Sequence, residues 1–222
     1  MYDLEEQEKV DALKAWWKEN QRRVLAFVVV AAIAYAAVTG WKSWKQHQAE
    51  QAAEAFAAFQ KVVAQADASK VLAAALGIEQ SSPASPYAAR AALTSAQMLL
   101  GLGKTAEAQS QFEWVINHSE EVALQSLAHI RLAGLLADQK KFSEALALLD
   151  KGIDAAFAGM AADLRGDILL AQDKTTEARD AYRAALAAFE GNHPLRQVVQ
   201  LKADALGGGN EPSKTSSAGS KP

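Results

Sequence analysis

The sequence contains no cysteine among its 222 residues. That excludes a disulfide scaffold, a thiolate zinc site and a cysteine nucleophile. It leaves the compartment open, because a cysteine-free domain is equally content in an oxidising or a reducing space. Prolines number only five (Pro83, Pro86, Pro194, Pro212 and Pro222), and none interrupts a segment of helical periodicity. No stretch alternates β-branched residues with period two, so no sheet is expected. There is no basic block and the net charge is −3, which argues against nucleic acid as a partner. No Gly-x-Ser-x-Gly occurs. The four histidines, His47, His118, His129 and His193, lack partners at i, i+4, so a histidine metal site is not expected. His118-Ser119-Glu120 resembles half of a deaminase signature with no cysteines to complete it. Gly101-Leu102-Gly103-Lys104-Thr105 looks like a phosphate loop, but Met98 stands where the first glycine is required. Asn117-His118-Ser119 is a glycosylation sequon only where a eukaryotic secretory pathway handles the chain. The expectation is a chain without cofactor, metal or catalytic centre.

What the sequence does have is a long uncharged run, Val24 to Trp41, VLAFVVVAAIAYAAVTGW. Its 18 residues span ~27 Å as a helix, close to a ~30 Å hydrocarbon core. Its eight strongly apolar residues contribute about −2 to −5 kcal/mol toward insertion. Trp17 precedes the run and Trp41 and Trp44 end it, where indoles suit the two interfaces. A buried core helix would be shorter and less uniform. A cleaved signal peptide would have a short basic leader, whereas the 23 residues before the run carry six acids. The run therefore reads as an uncleaved anchor. Five Lys or Arg residues precede it (Lys9, Lys14, Lys18, Arg22, Arg23) and three follow within 20 residues (Lys42, Lys45, Lys61), which places the N-terminus in the cytoplasm. Residues Leu4 to Asn20 put Val10, Leu13, Trp16 and Trp17 on one face. This suits a short amphipathic helix turned toward lipid or a membrane partner, with a solvated tail as the alternative.

Beyond the anchor, apolar residues recur at helical spacing from Gln48 to Gln65 and again from Lys70 to Leu76. The stretch Gly77 to Pro86 reads as loop, being rich in Gly, Ser and Pro. Three strings then repeat: Lys104-x-x-Glu107-Ala108, Lys141-x-x-Glu144-Ala145 and Lys174-x-x-Glu177-Ala178, with alanines 37 and 33 residues apart. Four residues after each alanine stands a large residue (Phe112, Leu149, Tyr182). Twelve before stands a small one (Ala96, Ala133, Gly166), and nine before a leucine (Leu99, Leu136, Leu169). Small residues let paired helices approach, the large one fills the gap, and the polar string is the turn. A period near 34 with this pattern marks tetratricopeptide repeats, here divergent, with the second lengthened. Residues His193 to Leu206 form a last helix whose Leu195, Val198, Val199, Leu201 and Leu206 cover the open end. The fold class is all-α: a single transmembrane helix followed by a tetratricopeptide-like solenoid. The divisions are 1–23, a cytoplasmic amphipathic tail; 24–41, the span; 45–206, a periplasmic repeat domain; and 207–222, a disordered tail.

Inner-helix positions facing the groove of such a solenoid are Arg90, Leu93, Gln97, Ile130, Asp138, Met160, Asp163 and Asp167. Each is a candidate partner contact, or an ordinary surface or packing residue. Asp163 and Asp167 lie one turn apart, a spacing a general acid/base pair would share, although a solvated or peptide-contacting face is the plainer reading. Paired aromatics in Lys14-Ala15-Trp16-Trp17, one anchor and Ala162-Asp163-Leu164-Arg165-Gly166-Asp167 within divergent repeats together resemble the YfgM family of ancillary subunits of the bacterial Sec translocon. The resemblance covers nearly the whole chain except its C-terminal tail. It implies an inner-membrane protein with periplasmic repeats and no catalytic motif. The partners it implies are the SecYEG channel, a membrane-anchored periplasmic chaperone of the prolyl-isomerase-like class, and newly translocated client polypeptides. A scaffold for cell-envelope assembly or division is the alternative reading of the same anchor and repeats.

Overall fold

The structure, a computed structural model, describes residues 2–189, 191 and 193–208. Among these there are nine α-helices and no strand. The chain divides into two compact units, Met1–Gln51 and Ala52–Pro222, and α1 (Tyr2–Val63) supplies residues to both.

The first unit is a single helix. The amphipathic tail is not a separate helix, as the sequence had led us to expect; α1 runs through it and into the apolar run without interruption. The reason is local, because neither proline nor glycine occurs between Tyr2 and Thr39. It is the one described helix long and apolar enough to cross a membrane. From Leu25 to Trp41 the large side chains of the run are more than half exposed, as a lipid-facing surface requires, and Val24 alone is half-buried. Thr39 returns its hydroxyl to the carbonyl of Tyr35 at 2.9 Å, which satisfies it inside the helix. The Trp41 and Trp44 rings pack 5.4 Å apart at the end of the run.

The second unit opens with the end of α1 against α2 (Ala68–Ser81), where Phe59, Val71, Ala75 and Ile78 are buried together. Asp67 caps α2 by accepting from the amides of Ser69 and Lys70 at 3.0 and 3.2 Å. Those bonds, the Lys70 one foremost, hold its carboxyl below the ordinary value. The expected loop at Gly77 is overturned, because α2 continues to Ser81 and buries Ile78 and Glu79. Val71, Ala75 and Ile78 keep the i, i+4, i+7 spacing, and their burial outweighs the ~1 kcal/mol that Gly77 costs a helix. Burial pushes the Glu79 carboxyl up, with Gln111 opposing.

Three helical hairpins follow: α3 (Pro86–Gly101) with α4 (Thr105–His118), α5 (Val122–Asp138) with α6 (Phe142–Leu149), and α7 (Ala158–Leu170) with α8 (Thr175–Ala188). The twelve alanine, leucine, small and large residues of the sequence repeat are all buried, while its lysines and glutamates are exposed. The turns are the same three times over. Gly103, Lys140 and Asp173 take φ of 73°, 61° and 61°. The following lysine amides reach back to Leu99, Leu136 and Leu169 at 2.9, 2.9 and 3.0 Å. This is the Schellman closure, so the leucine of the repeat both packs and accepts the turn's bond. The glycine-rich string at 101–105 is this turn, between two helices.

The spacing of 37 against 33 is a net difference: the stretch from Ala108 to Ala145 holds the longer helices, α4 of 14 residues and α5 of 17 against α6 of 8 and α7 of 13, and this is partly offset by a connection at 119–121 that is shorter than the one at 150–157. In the N-terminal turn of α5, Ser126 is buried and accepts from the amide of Asp154, 2.9 Å away in the connection after α6. A short 3₁₀ turn, Ala155–Phe157, then leads into α7.

The last helix, α9 (Arg196–Ala203), is shorter than expected and presents a different face. Val199 and Ala203 are buried and Leu195 and Leu206 pack beside them, while Val198 and Leu201 stay exposed. The side chains at 195, 199, 203 and 206 follow one helical stripe, which 198 and 201 leave. Arg196 fixes the approach by donating to the carbonyls of Leu186 and Phe189 at 2.8 and 3.0 Å, groups the end of α8 leaves open. Of the expected 207–222 tail, residues 209–222 lie outside the described ones.

Candidate functional site

The eight groove residues lie on α3, α5 and α7, the first helix of each hairpin. The structure sorts them by burial. Arg90, Gln97 and Asp138 are exposed. Arg90 pairs with Glu121 at 3.2 Å, just before α5, and so bridges the first two hairpins. Leu93 and Met160 are half-buried against the core. Ile130 is buried in that core, in one cluster with Ala96 and Ala161, and does not face an open groove. The apolar branch at this position is better spent under the neighbouring helices than in water.

Asp163 and Asp167 come together, on a partner the sequence did not show. Lys202 of α9 reaches both carboxylates at 2.8 Å. Tyr182, fully buried on α8, donates its hydroxyl to Asp167 at 2.7 Å. The Lys202 ammonium also stands 5.5 Å from the centre of the Tyr182 ring. Four side chains from three helices thus form one charged knot. Burial raises the Asp163 carboxyl, with Lys202 opposing. For Lys202 burial is the largest single influence and pulls it down, but the two carboxylates together outweigh it and hold the ammonium above its ordinary value. Burial first, and Asp167 second, push the Tyr182 hydroxyl far up. Lys202 and Tyr182 are both held toward their protonated forms and both hydrogen-bond to Asp167, so this spacing makes a structural tie between helices. Its work is to fasten α9 over the inner end of the last hairpin.

The knot depends on a close helical approach. A Cβ on Gly166 would run into the Tyr182 ring, and one on Gly159 would meet the Phe189 ring at 2.6 Å. At the matching seams Ala96 and Ala133 stand in the same hydrophobic cluster as Phe112 and Leu149. The larger ring in the third hairpin takes the smaller partner.

A cavity of about 380 Å³ opens elsewhere, between α4, α5 and α6. Its floor is Ile116, Leu132, Leu136 and Leu148, and its rim carries Gln109, Glu113, Glu144 and Lys151. None of the eight groove residues lines it. The sequence did not announce this cleft because it forms only where α4, α5 and α6 of two successive hairpins meet, and the repeat residues in it, Leu136 and Glu144, read equally well as seam and turn.

The family described as a tetratricopeptide repeat-like domain matches residues 14–208, which takes in both the apolar run and the hairpins. The chain is 32% identical over 204 residues to a Neisseria gonorrhoeae protein named ancillary SecYEG translocon subunit, covering 91% of this chain and 98% of that one. It is 26% identical over 207 residues to a protein of that name from Haemophilus influenzae, covering 92% and 99%. With its Escherichia coli namesake the identity is 27% over 210 residues, covering 90% and 96%. No solved structure matches the chain.

Proposed function

We propose, because the chain belongs to the family of ancillary SecYEG translocon subunits, that it is a membrane-tethered, non-catalytic interaction protein at the Sec channel. The observation that carries this is the span of the likeness, which runs through the apolar helix and all three hairpins in one alignment. In this reading residues 24–41 cross the inner membrane once, residues 1–23 lie in the cytoplasm, and the repeats from 45 to 206 stand in the periplasm. The bias of five basic residues before the span against three after it supports that direction. The repeats receive emerging polypeptides and pass them to a membrane-anchored chaperone of the prolyl-isomerase-like class. Arg90, Gln97 and Asp138, the exposed members of the inner face, are the contacts we assign to that exchange. Tethering supports the idea physically, since partners confined to one membrane meet at raised effective concentration and a weak contact suffices.

Crosslinking in native membranes followed by purification of the chain tests the assignment. Recovery of SecY, SecE and SecG supports it; recovery of cell-wall assembly proteins without them overturns it in favour of an envelope scaffold. Protease added to intact spheroplasts tests direction, where digestion of the repeats is expected and full protection refutes the periplasmic placement.

A further inference from the structure

α1 carries an apolar seam that does not stop at the membrane edge. Val10, Leu13, Trp17 and Asn20 are spaced three, four and three residues apart, and Val24 and Phe27 continue the same alternation into the run. Because α1 is one uninterrupted helix, these residues share one face. Val10, Leu13, Trp16 and Trp17 are 48–64% exposed. Lipid does not reach most of them. Counting back from Val24 at ~1.5 Å per residue, Trp17 stands ~10 Å, Leu13 ~16 Å and Val10 ~21 Å from the start of the run. The headgroup zone on each side is only about 5–8 Å deep.

A second copy of the chain does not suit the seam either. The positions flanking it are Lys9, Lys14, Trp16, Gln21 and Arg23, with no acid among them; Lys14 also reaches the exposed Asp11 one turn back at 3.0 Å, a surface pair weak enough to exchange for a partner's acid. Two copies in one membrane run parallel, and parallel pairing sets Lys9 of each against Lys14 of the other. We propose that the seam from Val10 to Asn20 docks one helix of a different membrane protein, a helix with an apolar stripe and acidic residues beside it. Asn20, whose amide donates to the Trp16 carbonyl at 3.0 Å and leaves its Oδ1 to accept, then fixes the register as a single polar residue in the stripe. The proposal rests on the reading that residues 24–41 cross the membrane, and it gives the channel association a contact outside the repeats.

The test uses the full chain in its native membrane, with a photoreactive residue in place of Leu13 or Trp17 on the seam and of Ala15 or Arg22 on the opposite face. The expected result is that 13 and 17 join one and the same membrane protein, at a helical segment bearing Asp or Glu, while 15 and 22 do not. Lys9→Glu with Lys14→Glu lowers that yield by about threefold to tenfold, and changing the mapped acids to lysine restores it. Adducts with lipid, adducts with a second copy, equal yields around the helix, or indifference to the charge reversal each overturn the proposal. Co-purification of SecYEG with the unaltered chain is read in parallel. Its absence overturns the functional reading alone, whereas uniform crosslinking with co-purification intact overturns the seam alone.

Discussion

The first and third hairpins close the same turn and the same seam with different residues. The first puts Gly103 in the left-handed position and has alanine and phenylalanine at the small and large places of its seam. The third puts Asp173 there and sets Gly166 against Tyr182. The difference teaches that the repeat conserves shape at each place and lets glycine migrate to whichever place the neighbouring side chain makes tightest. It also explains why the third hairpin has a polar function the first lacks, since only tyrosine brings a hydroxyl into the seam.

The seam offers the sharpest way to break that comparison. Gly166→Ala drives a methyl into the Tyr182 ring and is expected to lower stability by about 2–3 kcal/mol, read by urea unfolding of the solubilised chain. Adding Tyr182→Leu reproduces the second hairpin's pairing and should recover part of that loss, a non-additivity that a merely local effect at 166 would not produce. Next in size is Lys202→Met. It leaves two carboxylates facing each other without their cation and should cost about 1–2 kcal/mol and loosen α9, seen as faster hydrogen exchange at Val199 and Ala203.

The knot also predicts a pH dependence with a definite sign. Lys202 is raised above its ordinary value of 10.5, so its contribution is complete below that pH and is lost as pH climbs through the raised value. Asp163 is raised above 3.8, so its own contribution favours the fold below that value and fades as it ionises. The lysine's part of the α9 contact should therefore be lost only as pH climbs beyond 10.5, read as faster hydrogen exchange at Val199 and Ala203. The smallest effects belong to the turns. Asp173→Gly and Lys140→Gly relieve a left-handed backbone and should raise stability by up to about 1 kcal/mol each, while Gly103→Ala should lower it by a similar amount.

The turns and seams were legible in the sequence because they are local: a lysine, a glutamate and an alanine at fixed offsets define a helix start, and the leucine nine residues earlier closes it. The anchor was legible for the same reason. What was not legible is tertiary. Lys202 lies 39 residues from Asp163 and 35 from Asp167, and nothing in either segment announces the other. Ile130 read as a groove residue because its place in the repeat faces inward, but how tightly neighbouring hairpins close over that place depends on their packing. Gly77 looked like a stop because glycine weakens a helix by itself, and only the buried stripe of Val71, Ala75 and Ile78 shows that the helix is held from outside.

The longer α5 has a consequence for how such chains change length. Four residues are close to one full turn at ~3.6 residues per turn, so an insertion of that size returns the downstream side chains almost to their original bearings. An insertion of two would swing Leu136 and Ala133 to the far side of the helix. Tolerated insertions in this solenoid should therefore come in whole turns, each balanced by connecting chain that the new turn can hold, as Ser126 holds Asp154. A change of one whole turn, as between α5 and α7, is the kind that keeps the seam of an inner helix in place.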